Sequence, residues 1–341
     1  MTERGRLEEV AAHIRQRISM QTFEEFSEAT CVKAEDFLPL PMKEFSKRTF
    51  AVDGSNSLVC DWTVVQANHI RAGYVVYRGR DWQRTVVTFD SLFLADRKSY
   101  TSEFLRYLKG IFGQRHFTLS ETELDRLTTY FRELQEYAAL WAALNESEAG
   151  DLLLYDGGFA LWKGRPFGPV LEYLFNLARD RDVDMVGISK SSSMSWGDDI
   201  SRPFVQHAAR LGDRTWPGLP WYMDLTGKKV EPNPEEGRWN GRIYLARFSP
   251  AADRAFRVDA PEYLHPRIDD VMANISAFSG SAESAGYPHA LFRAHHEMKI
   301  SRSETEQMRL RLLDALGATG LGEREVRRSM DYHETLEKGR R

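Results

Sequence analysis

Phe50-Ala51-Val52-Asp53-Gly54-Ser55-Asn56-Ser57 is the stretch from which the rest of the chain is best read. An apolar lead-in runs into a carboxylate, then a glycine, then small hydroxyl and amide side chains. The pattern predicts a strand delivering a carboxylate to a place where the backbone turns or is closely approached. Asp-Gly is also among the commonest turn pairs, so alone the stretch reads as an ordinary strand-to-turn junction. Its echo changes that reading: Asp151-Leu152-Leu153-Leu154-Tyr155-Asp156-Gly157-Gly158 is again an apolar strand ending in Asp-Gly. Side by side, two such strands place two carboxylates at one end of a sheet, the arrangement a pair of hard divalent cations needs.

Between the two echoes, Asp61 to Tyr77 and Thr85 to Phe89 are rich in β-branched and aromatic residues, punctuated by Gly54, Gly73 and Gly79. Three consecutive strands with short links predict an antiparallel meander. From Asp96 to Asn145 the pattern is helical. Phe104, Leu105, Leu108 and Ile111 form a short apolar face, and Ser120-Glu121-Thr122-Glu123 has the character of an N-terminal cap for a longer helix. Leu127, Tyr130, Phe131, Leu134, Tyr137, Trp141 and Leu144 form its stripe, and Glu133 and Glu136 lie on the same helix, where most glutamates are solvated. A strand at 151–156, a helix from Val170 to Ala178 and a strand from Val183 to Ser189 follow. This is the element order of a ribonuclease H-like α/β fold, a mixed sheet flanked by helices, which carries catalytic carboxylates on its first and fourth strands. Order by itself does not fix function.

Upstream, residues 1 to 30 read as an amphipathic helix, with Leu7, Val10, Ala11, Ile14 and Ile18 at helical spacing, expected to pack on its own domain. Pro39 and Pro41 then break the pattern. Downstream, Lys190-Ser191-Ser192-Ser193-Met194-Ser195 reads either as a phosphate-binding loop or as a polar surface loop. Residues 200 to 260, dense in Trp, Pro and Gly, read as loops and added strands. Trp239, Arg242 and Arg247 there are of types that stack bases or line a strand channel, though such aromatics are more often core. In Gly286-Tyr287-Pro288-His289-Ala290-Leu291-Phe292-Arg293-Ala294-His295-His296, a proline near a helix start precedes a histidine in the second turn. Adjacent His295 and His296 do not have the i, i+4 spacing of a helical zinc site. A charged helical tail follows from Ser301, with Met308, Leu312, Leu313 and Leu316 on one face and a frayed end over Glu337 to Arg341.

At 341 residues, 42% hydrophobic and 28% charged, the chain has the composition of a soluble globular protein. A net charge of −4 gives no global basic signature, so any nucleic-acid contact rests on local patches. Two cysteines, Cys31 and Cys60, are too few for a disulfide framework or a thiolate site, and fit a reducing cytoplasm. A charged N-terminus and the lack of a long apolar run give no expectation of a signal peptide or membrane span.

Phe-Ala-Val-Asp-Gly-Ser, Leu-Leu-Leu-Tyr-Asp-Gly, Val-Gly-Ile-Ser-Lys and Tyr-Pro-x-x-Leu-x-x-Ala-His occur in that order. The four together, over residues 45 to 300, resemble the NurA nucleases. The resemblance implies a ribonuclease H-like core (46–300) between an N-terminal helical extension (1–45) and a C-terminal helical tail (301–341). It implies cleavage of DNA dependent on Mn²⁺ or Mg²⁺, with two ions, by a homodimer that works with a hexameric HerA-type translocase in DNA end resection or antiviral defence. Carried onto this chain, it implies metal-binding carboxylates at Asp53 and Asp156, the lysine after the last core strand at Lys190, and a C-terminal pair at Tyr287 and His295, the latter ligating a metal or moving a proton. The helix carboxylate falls on Glu136 by the family pattern, with Glu133, nearer the flank of the apolar stripe, in reserve. Asp-Gly-Gly at 156–158 departs from the Asp-Gly-Ser of many members. A catalytically inactive DNA-binding or assembly subunit, or a nuclease acting on RNA or a hybrid, are the alternatives.

Overall fold

The computed structural model describes residues 3–19, 22–41, 43–98, 100–114, 124–159, 167–197, 201–230, 241–284, 286–321 and 323–330. The Ser120 to Glu123 cap, the Pro-rich Glu231 to Pro234 segment, Trp239 and the end of the tail lie outside the described residues. In chain order the first elements are α1 (Glu3–Ile18), α2 (Phe23–Thr30), β1 (Leu38–Pro39), β2 (Arg48–Asp61), β3 (Val65–Arg78), β4 (Asp81–Asp96), α3 (Tyr100–Phe112) and α4 (Leu124–Glu146). They are followed by β5 (Leu152–Tyr155), α5 (Gly168–Asp180), β6 (Asp184–Ser189), β7 (Ser195–Trp196), β8 (Arg202–Pro203), α6 (Phe204–Thr215) and β9 (Trp221–Asp224). The last are β10 (Gly241–Arg247), β11 (Phe256–Pro261), α7 (Ile268–Ala277), α8 (His289–Met298), α9 (Arg302–Ala318) and α10 (Glu323–Ser329).

One sheet organises them, in the order β1-β9-β10-β11-β6-β5-β2-β3-β4. The pairs β2–β5 and β5–β6 are parallel and the other ladders antiparallel, so the sheet is mixed, as the element order predicts. The β-branched and aromatic runs of β2, β3 and β4 form the expected meander, longer than the Thr85 to Phe89 core of the last strand suggests.

Helices cover both faces. On one, Phe50, Val52, Leu153 and Tyr155 pack against the α4 stripe, where Phe131 stacks on Phe93 with ring centroids 4.1 Å apart. On the other, Ala51, Leu152, Leu154 and Ile188 meet Ile275 of α7 and Leu291 and Ala294 of α8. Each such fully buried Leu or Ile is worth about 1.5–3 kcal/mol relative to exposure, which sets both layers firmly on the sheet. The tail helix α9 packs Met308 and Leu312 against Val59, Cys60 and Ala67.

Three local expectations change. The single helix over residues 1 to 30 is two, and α1 does not bury its stripe: Leu7 is 63% and Ile14 51% exposed. The stripe is narrow and flanked by Arg6, Glu9, Arg15 and Arg17, and docking falls instead to α2, whose Phe26 is fully buried against Trp196. The Trp- and Pro-rich region contains a helix, α6, because Phe204, Ala208 and Leu211 recur at helical spacing and bury together. Finally, β2 does not end at Asp53. It runs on to Asp61 against β3, while its parallel partner β5 stops at the Val52–Tyr155 pair.

Candidate metal centre

Stopping the β2–β5 ladder at Val52 and Tyr155 puts Asp53 and Asp156 each one residue beyond it, at the same level. The Asp156 amide still donates to the Val52 carbonyl at 3.0 Å, so the two chains have not yet separated there. Strand alternation sends Asp53 to the face of Ala51 and Asp156 to the face of Leu154, the side covered by α8. Pro288 caps α8, Leu291, Ala294 and Met298 are its buried side, and His295 follows Ala294 on the edge of that side. The Ser55 hydroxyl, donating to the Met298 carbonyl, ties the end of this helix back to β2.

His295 Nδ1 lies 2.9 Å from Asp53 Oδ2, and Asp53 Oδ1 accepts the Gly54 amide at 2.7 Å. Asp156 Oδ1 accepts from the Tyr287 hydroxyl at 2.9 Å and Oδ2 from Lys190 Nζ at 2.5 Å. One donor atom each from Asp53, Asp156 and His295 lies within 4.8 Å of the others. Two carboxylate oxygens and an imidazole nitrogen, two of the three side chains nearly buried and the third half exposed, suit a hard or borderline divalent cation reached from solvent. Charge balance points the same way. Burial, and then the neighbouring Asp53 charge, push the Asp156 carboxyl up to about 6 in spite of Lys190 and Tyr287. Burial and the adjacent Asp156 hold the Tyr287 hydroxyl well above its ordinary value, so it stays a proton donor.

Glu136 stands apart from this trio. It approaches the other face of β2 under Gly54, where a Cβ would lie 2.8 Å from its Cγ and Oε1. Asp53-Gly54 is therefore no turn: the glycine makes room for the α4 carboxylate. Tyr155 donates to Glu136 Oε2 at 2.8 Å, and Arg132 pairs with Oε1. Burial pushes the Glu136 carboxyl up to about 8, Arg132 opposing and Asp53 adding to the rise. Glu133 is also buried but takes the Tyr137 hydroxyl at 2.7 Å.

A further residue at this end is not apparent from the sequence. Asp259, fully buried on β11, accepts the Phe159 amide at 2.8 Å and is clasped by Arg257 through Nε at 2.7 Å. A Cβ on Gly158 would sit 2.9 Å from Asp259 Oδ2, so glycine lets the buried carboxylate approach this loop. Asp259 thus pins the loop that leaves Asp156. Arg257 and Asp259 alternate with Phe256, Val258 and Ala260, a pattern that reads as a solvated strand face until β6 and the Gly158 loop cover it. Arg242 and Arg247 are committed elsewhere: Arg242 pairs with Asp224 and Glu262, and Arg247 with Asp213 and the Ala252 carbonyl.

The pattern of the NurA domain matches residues 47–300, most of the chain and all of these residues. The fold is similar to that of the NurA nuclease from Sulfolobus solfataricus, with a TM-score of 0.54 and 13% identity over 93% of this chain and 95% of that one. A NurA structure with manganese aligns over 93% of this chain and 97% of its own with 12% identity, at a TM-score of 0.49. No curated protein sequence matches the chain. No helix among the described residues is long and apolar enough to cross a membrane. The chain belongs to the NurA family, a family of nucleases.

Proposed function

We propose that this NurA-family chain is a divalent-metal-dependent deoxyribonuclease whose centre is built on Asp53, Asp156 and His295. The observation that carries this reading is the convergence of those three donors within 4.8 Å at the end of the parallel pair. Asp53, Asp156 and His295 would hold the first cation, and Glu136 is the candidate to complete the set for a second. Mn²⁺ or Mg²⁺ bound there would supply an activated water and charge neutralisation at the phosphoryl group. Lys190, whose ammonium is partly exposed, would turn from Asp156 to a non-bridging phosphate oxygen. Tyr287 keeps Asp156 oriented through its hydroxyl.

The same reading assigns residues 46–300 to the nuclease domain, 1–45 and 301–341 to flanking helical segments, and a cytoplasmic homodimer working with a HerA-type hexameric ATPase in DNA end resection or defence. End-labelled single- and double-stranded DNA incubated with Mn²⁺, with Mg²⁺ and with EDTA is the test. Metal-dependent degradation, lost in Asp53→Ala with the melting temperature preserved, is expected. Equal cleavage by the variant, or by wild type in EDTA, overturns the assignment.

A further inference from the structure

Beside Lys190 the surface opens into a cleft of about 530 Å³. Its walls are the loop after β6, the exposed side of α6 and the turn before β11, with Arg257 among its lining residues. Lys190 belongs both to this cleft and to the metal centre, through its contact with Asp156, so the cleft opens directly beside the carboxylates.

The cations of the cleft are not equivalent. Arg257 is held by buried Asp259, and Arg254 pairs with Asp253 at 3.0 Å. Asp213 is engaged by Arg247 at 3.2 Å and by the Trp221 indole N–H at 2.9 Å. Arg210, exposed on α6, has no acidic partner among the described residues. With Lys190 paired to Asp156, Arg210 is the cation that leaves local positive charge in the cleft, on a chain whose net charge is −4. Ser191, Ser192 and Gln206 add neutral donors, and the Ser192 oxygen already accepts the Met194 amide at 3.3 Å, leaving its proton to give. Among the described residues no aromatic side chain lines the cleft, so these offer no ring on which a base could stack. Cations with small hydroxyl and amide donors recognise phosphate, and phosphate contacts position a strand without reading its sequence.

We propose that this cleft binds phosphate of the nucleic-acid strand flanking the scissile bond, with Arg210 as its principal contact. The proposal rests on the nuclease reading for the location of the scissile bond. The phosphate could equally belong to a released mononucleotide, and the test separates the two.

Binding of a fluorescent single-stranded oligonucleotide is measured by anisotropy in EDTA over a range of salt, for wild type, Arg210→Lys and Arg210→Glu. Competition by deoxyadenosine monophosphate is measured alongside. Arg210→Glu is expected to weaken oligonucleotide binding about tenfold and to reduce the salt slope by about one, with Arg210→Lys close to wild type. An Arg210→Glu protein that binds the oligonucleotide normally but no longer responds to the monophosphate overturns the strand assignment. Unchanged binding of both overturns the site. A failure of the nuclease reading registers separately, as absent metal-dependent cleavage with these affinities unaffected.

Discussion

The parallel strands β2, β5 and β6 carry charged groups at both ends, and the two ends are built differently. At the end where the strands begin, Asp184 and Glu146 are each met by two cations. Asp184 is held by Lys47 at 2.6 Å and Arg267 at 2.9 Å, while Glu146 is met by Arg48 at 2.6 Å and by Arg84. Burial works against the Glu146 charge, yet hydrogen bonds from Tyr74 and Arg84 hold its carboxyl below the ordinary value. At the other end of the parallel pairing, Asp53 and Asp156 lie beside Lys190, Glu136 lies with Arg132 under Gly54 on the opposite face of β2, and the Asp156 and Glu136 carboxyls are pushed up. One end is a closed set of ion pairs. The other is short of positive charge in a place where donor atoms converge, which is the condition a cation relieves.

Paired substitutions break this contrast most sharply. Asp156→Asn should abolish metal-dependent cleavage and raise the melting temperature of EDTA-treated protein at pH 8, because it removes a desolvated charge beside Asp53. Asp184→Asn should do the reverse. It leaves cleavage per folded molecule intact and costs about 1–3 kcal/mol in a denaturant titration, less than a fully buried broken pair because Lys47 and Arg267 are partly solvent-screened. If both variants behave alike in stability, the two ends do not differ as described.

A smaller effect sharpens the comparison. Asp259 touches no member of the donor trio but fixes the loop after Asp156, so Asp259→Asn should weaken Mn²⁺ binding about 10–100-fold. The loss should persist in a double variant that also carries Arg257→Met, which removes the guanidinium that clasps Asp259. Metal affinity equal to wild type in the double variant would confine Asp259 to a role in stability.

The smallest effect is in pH dependence. Asp156 and Glu136 have folded-state values raised to about 6 and about 8, above those of the unfolded chain. Their protonated forms favour the fold, so this contribution is fully present below about pH 4 and is lost as pH rises through 6 and then 8. In EDTA the melting temperature should therefore decline across that window. With Mn²⁺ present the difference from the EDTA curve should widen over the same range, as protons cease to compete with the cation. A metal-induced shift independent of pH from 5 to 9 would contradict this.

What the sequence makes legible is local. Apolar runs leading into Asp53 and Asp156 announce themselves by composition, and their adjacency follows from the element order of a known fold, although β2 runs on past Asp53. That Glu136 rather than Glu133 passes beneath Gly54 is a contact between α4 and β2 that helical periodicity does not contain. Asp259 is illegible for the same reason, since its partner is the amide of Phe159, distant in the chain. The α6 stripe is hidden because Trp216, Pro217 and Gly218 follow it immediately and dominate the composition of that window. The exposure of α1 is a tertiary outcome: α2 takes the docking surface beside Trp196 and Phe204.

The most direct measurement is the electron paramagnetic resonance of Mn²⁺ titrated into protein first stripped with EDTA, comparing wild type with Asp53→Asn. Wild type should deplete the free-ion signal with saturable stoichiometry, and Asp53→Asn, folded by its circular dichroism, should leave that signal undiminished. Wild type that fails to capture the ion, or a variant that captures it equally well, would contradict the metal centre.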